Sequence, residues 1–211
     1  MIQIQIWGDF ECPYTYYQVL VLSKLKKQYS SNIDILWRAP KLPIKKGSSV
    51  PDQSYIDNFQ TAALDSIVDE NQLKMRIPKL LRDTWLIQEC ALYANTLDKT
   101  LPFTTKIFEA LFKKGTDISL EIEILKIAEK VGLNPEILRG ILNTGTYTKQ
   151  TILDANEYQT YGFQGIPAML IGEKNFSPRS FSPITGYKTF EQLLKLIPIS
   201  SLNGGGNLES N

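Results

Sequence analysis

The chain has 211 residues, 43% of them apolar and 21% charged, which fits a globular protein with a core of normal size. Its 23 basic and 22 acidic residues leave a formal net charge of +1, so neither nucleic acid nor an anionic membrane is expected as a main partner. Histidine is absent, which excludes Ser-His-Asp and Cys-His catalysis, imidazole acid–base work and histidine-held metals.

"IQIQIW", residues 2 to 7, alternates with period two and predicts a strand. Residues 13 to 29 are apolar at helical spacing (Tyr17, Leu20, Val21, Leu25), and Pro13 suits the first helical turn, where its missing N–H is harmless. "NIDILWRA", residues 32 to 39, predicts a second strand. Strand, helix, strand at this spacing is a βαβ unit with parallel strands. Residues 40 to 53 read as a loop rich in Pro, Gly, Ser and Lys. Helical periodicity then runs through residues 53–71, 80–97, 102–114 and 119–132. Asp117 or Ser119 is the expected cap of the last of these, and Gly132 its stop. Asn134 and Pro135 open a short helix to residue 142, and residues 148–163 predict another. "GIPAMLIG", residues 165–172, reads as a buried strand preceded by a proline, residues 173–186 as a turn and an edge strand, and 188–197 as a closing helix.

Strands at both ends must share one sheet, because neither end has enough alone. The expected fold class is α/β: residues 1–40 and 146–198 form one domain, residues 41–145 a large all-helical insertion, and 199–211 a disordered tail.

Two cysteines, Cys12 and Cys90, lie far apart, and neither belongs to a cluster that would hold a metal. No apolar stretch approaches a membrane span, and the N-terminus lacks the basic and apolar regions of a secretion signal. The expected location is the cytoplasm, where a structural disulfide is disfavoured. Cys12 opens "CPYT" at a strand–helix junction. There the unpaired N–H groups favour an anion, so a thiol pKa below the ordinary value is expected. The competing reading is a buried structural cysteine. Cys90 lies in "WLIQECALYA" and reads as core. Asp9 is a candidate proton acceptor, or simply a strand-end carboxylate satisfied by backbone N–H groups. Tyr14 and Tyr16 are candidates to line a cleft, or helix surface. Lys41, Lys45 and Lys46 read as a solvated charge run, and Trp7, Trp37 and Trp85 as core or near-core.

The segments "DFECPYTYY" and "GFQGIPAMLIG", with the helical insertion between them, resemble the DsbA-like thioredoxin-fold superfamily from about residue 2 to about residue 197. "RDTWLIQECALYA" and "ALFKKGTDISLEIEILKIAEKVGLNPEIL" resemble its helical insertion. The FrnE-like branch resembles the chain most, with 2-hydroxychromene-2-carboxylate isomerases and kappa-class glutathione transferases as cousins. The resemblance implies a thioredoxin-like fold, Cys12 as the attacking cysteine, and Ile166-Pro167 as a cis-proline peptide facing it. It implies that Ile166 pairs with an extended substrate, next to Pro13 and Tyr14. Thr15 departs from the oxidoreductases, which carry a second cysteine there. Its hydroxyl can support a Cys12 thiolate but cannot close a disulfide. The cousins carry serine where this chain has Cys12. Three functions follow as expectations. The first is a monothiol thiol–disulfide oxidoreductase using glutathione as co-substrate, with no tightly bound cofactor. The others are a glutathione-dependent isomerase or transferase, and a non-catalytic binding module. The substrate would be a small-molecule thiol or a disulfide-containing protein.

Overall fold

The computed structural model describes residues 1–30, 32–40, 82–174 and 183–197. Strand β1 (Ile2–Trp7) buries Ile2, Ile4 and Ile6 on one face, as its alternation requires. Helix α1 (Pro13–Gln28) follows, with Pro13 in its first turn and Lys26 and Lys27 in its last, where they complement the dipole. Strand β2 (Ile33–Arg38) returns parallel to β1, in register from Ile2 opposite Ile33 to Trp7 opposite Arg38. This is the βαβ unit read from the sequence.

Among the described residues, five helices then separate β2 from the next strand: α2 (Trp85–Asn95), α3 (Thr100–Lys114), α4 (Glu121–Lys130), α5 (Pro135–Thr144) and α6 (Thr148–Thr160). Strand β3 (Ala168–Glu173) runs antiparallel to β1, and β4 (Ile184–Thr185) pairs with its first residues. Helix α7 (Phe190–Leu196) closes the described chain behind a capping box made by Thr189 and Gln192. The sheet order is β2-β1-β3-β4, so the two ends of the chain share one sheet.

Asn134 caps α5 through the N–H groups of Glu136 and Ile137. The expected cap of α4 is corrected. Leu120 occupies that position without a side-chain bond, while Asp117 accepts from Ser119 and pairs with Arg82 at 3.0 Å. Gly132 stands just past α4 at φ 79°, a left-handed conformation that glycine adopts freely. The predicted helix over 53–71, Lys41, Lys45, Lys46 and the tail lie outside the described residues.

One face of the sheet packs against a core that ties it to α1–α5 and α7. At its centre Phe10 stacks on Trp37 with ring centroids 4.6 Å apart, and Phe10 and Tyr16 both meet Phe108. Tyr16 is therefore core and lines no cleft: its ring is fully buried and also stacks on Phe112. On the other face Trp7, Phe163, Ala168 and Leu170 form a second cluster under α6.

Candidate active site

The loop from Gly8 to Glu11 leads from the end of β1 to Cys12. Gly8 is there because nothing larger fits. A Cβ at this position would collide with the Thr15 methyl and lie 2.7 Å from the Trp37 ring. Gly8→Ala is expected to destabilise the fold by about 1–3 kcal/mol through overpacking, read as a lowered urea midpoint. An unchanged midpoint would show that Thr15 and Trp37 yield freely. The Asp9 carboxylate accepts the Glu11 N–H at 2.9 Å, and the Asp9 carbonyl accepts the Cys12 N–H at 3.0 Å. That is the strand-end role of the two considered for Asp9.

Cys12 is the N-cap of α1, and its side chain caps nothing. Only 8% of the residue is exposed. Its sulfur makes a long contact of 3.9 Å to the Ile166 carbonyl oxygen, across 154 positions of sequence. The Ile166–Pro167 peptide is cis. Pro13, Thr15 and Pro167 are buried, while Tyr14 and Ile166 are half-buried. The residues singled out in the sequence therefore come together in space. Thr15 is fully buried, and its hydroxyl finds no well-aligned partner, yet it lies close enough to the Cys12 sulfur to favour a thiolate.

Burial is the largest influence on Cys12 and pushes its thiol above the ordinary cysteine value. The Thr15 hydroxyl and the N–H groups of Thr15 and Tyr14 oppose burial, while the Asp9 charge adds to it. This corrects the expected lowering. The helix N-terminus supplies its donors, but desolvation of the sulfur outweighs them. Cys90 is fully buried in α2, and burial raises its thiol as well. Both cysteines are free, and Cys90 has the core role read for it.

Two supports of the site escaped sequence reasoning. Gln88, in α2, is buried; it donates to the Gly8 carbonyl at 3.1 Å and accepts from the Trp37 indole N–H at 2.6 Å. The polar pair Gln88-Glu89 within the apolar run "WLIQECALYA" was the available signal. Asp154, in α6, pairs with Arg38 at 2.7 Å and accepts the Ala39 N–H at 3.1 Å, while its backbone carbonyl takes the Trp7 indole N–H at 2.9 Å. It fixes α6, and hence the run into Ile166–Pro167, to the ends of β1 and β2. A polar cleft lined by Met1, Gln3, Lys26, Asp34 and Lys174 lies at the opposite end of these strands. Its charges are paired with one another, Lys174 with Asp34 at 3.1 Å and Lys26 with Asp98 at 3.7 Å, so it is no rival to the Cys12 site. Among the described residues no cluster of cysteine and carboxylate groups could hold a metal.

A curated relative, the uncharacterized protein YwbO of Bacillus subtilis (strain 168), is 23% identical over 181 residues, covering 82% of this chain and 88% of that protein. Two solved structures share the fold. One is a candidate protein disulfide isomerase from Nitrosomonas europaea, with a TM-score of 0.79 and 15% identity over 97% of this chain and 99% of that one. The other is a 2-hydroxychromene-2-carboxylate isomerase, with a TM-score of 0.69 and 18% identity over 92% of both chains. The model of the DSBA-like thioredoxin domain matches residues 3–197, nearly the whole described fold, and the chain belongs to that family.

Proposed function

We propose that the chain performs monothiol thiol–disulfide exchange in the cytoplasm. One juxtaposition carries the reading: the Cys12 sulfur, at the N-terminus of α1, lies against the carbonyl of Ile166 at a cis-prolyl peptide. An extended disulfide substrate would pair with the Ile166 backbone and displace the thiol contact. The Cys12 thiol gives up its proton to solvent, and the thiolate attacks one sulfur of the substrate. A Cys12–substrate disulfide forms while the other substrate sulfur leaves as a thiolate. An external thiol such as glutathione then attacks the mixed disulfide, forms its own disulfide with the substrate sulfur and returns Cys12 as a thiolate. Tyr14 and Thr15 N–H groups and the Thr15 hydroxyl steady that thiolate. Thr15 has no sulfur with which to resolve the intermediate, and Cys90 is sealed in the core. No tightly bound cofactor is needed.

Burial bears on the kinetics in two opposed ways. A raised thiol pKa leaves little thiolate at neutral pH, but each thiolate is more nucleophilic and a poorer leaving group. The mixed disulfide should therefore persist. With oxidised glutathione, intact-mass analysis is expected to show a single glutathionyl adduct that maps to Cys12 and is absent from Cys12→Ser. Its rate should climb about tenfold per pH unit from 7 to 8.5 without levelling, since the thiol titrates above that range. A plateau below pH 8, or an adduct on Cys90 in the folded protein, would count against the scheme.

The raised pKa also favours a second reading, a glutathione-dependent isomerase or transferase. A neutral Cys12 thiol can donate to a bound glutathione sulfur, as the serine of the cousin families does. Calorimetry with reduced glutathione separates the two. Tight binding without covalent capture belongs to the second reading.

A further inference from the structure

We infer that Gln88 is a positioning residue for Cys12, through which the helical insertion sets the thiol's reactivity. This rests on Cys12 being the reacting group. The long-range polar tie of the Gly8–Glu11 loop at its Gly8 end comes from α2, where the Gln88 amide donates to the Gly8 carbonyl at 3.1 Å. The other end of that amide is fixed by the Trp37 indole N–H at 2.6 Å, so its two faces are assigned and the side chain cannot flip. Gln88 is only 3% exposed, and a buried amide with both ends satisfied is a rigid link. Phe108 of α3 packs on Phe10, two residues beyond Gly8, with ring centroids 5.2 Å apart, and Arg82, just before α2, donates its backbone N–H to Glu11. The insertion thus grips the loop at Gly8, Phe10 and Glu11, immediately ahead of Cys12.

The consequence is electrostatic. Burial is what raises the Cys12 thiol, and the loop that Gln88 holds is bonded to Cys12 itself, whose N–H donates to the Asp9 carbonyl at 3.0 Å. Releasing Gly8 lets water reach the sulfur, while the N–H groups of Tyr14 and Thr15, which belong to α1, remain. The balance then moves toward the thiolate.

Gln88→Met keeps the volume and removes both hydrogen bonds. Its expected effect is a Cys12 alkylation profile shifted to lower pH, with iodoacetamide reacting about threefold faster or more at pH 7.5. Gln88→Asn keeps the amide one methylene short of Gly8 and should shift the profile in the same direction by less. Thermal melts by circular dichroism establish that each variant is folded at the assay temperature. A merely structural glutamine would lower the melting temperature and leave the profile of the folded protein where it was. A wild-type profile in the folded variants, or a shift to higher pH, overturns the inference. Alkylation needs no disulfide substrate, so its outcome is separate from that of the glutathione experiment. A shifted profile with no glutathione adduct would refute the exchange reaction and leave the positioning role standing.

Discussion

Thr15→Cys is expected to turn the chain into a dithiol disulfide reductase, raising its dithiothreitol-coupled reduction of insulin by an order of magnitude or more over wild type. The gain comes from making the second step intramolecular. A thiol held one helical turn from Cys12 acts at an effective concentration far above that of any external thiol. The position is suited to it. The backbone N–H and the hydroxyl of Thr15 both act on the Cys12 sulfur, so a sulfur on the same Cβ starts within reach. The structural cost is small. The Thr15 methyl that abuts Gly8 is lost, a gap worth about 1 kcal/mol. Two further signs accompany the gain: the glutathionyl adduct on Cys12 should no longer persist, and mild oxidants should form a disulfide between positions 12 and 15. The Cys12→Ser, Thr15→Cys double variant should fall back to background. If Thr15→Cys oxidises cleanly yet reduces insulin no faster than wild type, Cys12 is not the attacking group, and the binding role of the cousin families becomes the better account.

Strands β1 and β2, helix α1 and the approach to β3 were legible because each carries its own local signal. Alternation marks Ile2–Trp7, Pro13 marks the start of α1, and an apolar run behind a proline marks Ala168–Glu173. The pairing of Cys12 with Ile166 came from resemblance, since no periodicity links positions 154 residues apart. The state of the thiol was not legible. The helix N-terminus can be read from the chain and argues for a lowered pKa, but burial is a property of the folded chain, which brings Ile166 against the Cys12 sulfur from 154 positions away. The cap of α4 failed for a related reason: Arg82, 35 positions earlier, pairs with the Asp117 carboxylate. Tyr16 fell on the wrong side of its helix because α1 is packed on several faces, so its periodicity does not say which tyrosine meets solvent.

Asp154→Ala is expected to cost about 3 kcal/mol of folding stability, the largest such loss among the substitutions considered. Its carboxylate is fully buried and serves three groups: the Arg38 guanidinium at 2.7 Å, the Gln150 amide at 2.7 Å and the Ala39 N–H at 3.1 Å. Alanine strands the buried Ala39 N–H, worth about 1 kcal/mol or more when left unpaired, and takes a partner from the half-buried Gln150 amide. Arg38 keeps Glu157 and a place over the Trp7 ring, which holds the total toward the lower end for a broken buried pair. Burial is the largest influence on Asp154 and holds its carboxyl above the ordinary range, although Arg38, Gln150 and Ala39 pull it down. The sign of the pH dependence follows. A folded pKa above the unfolded one means that the folded state binds the proton more tightly. This group's protonation term is then fully present below the unfolded value of about 3.9, and is lost as pH rises through the folded value. Acid therefore does not remove the advantage of Asp154 as it would for a carboxylate whose pKa is lowered by its partner. Urea midpoints of wild type and Asp154→Ala at pH 7 and pH 5 test both points. The gap should be about 3 kcal/mol at pH 7 and should not shrink at pH 5. A gap below 1 kcal/mol would mean that water reaches Ala39 and Gln150, and that α6 is not anchored to the sheet through this carboxylate. A gap that closes in acid would mean that the Arg38 charge, not burial, governs Asp154.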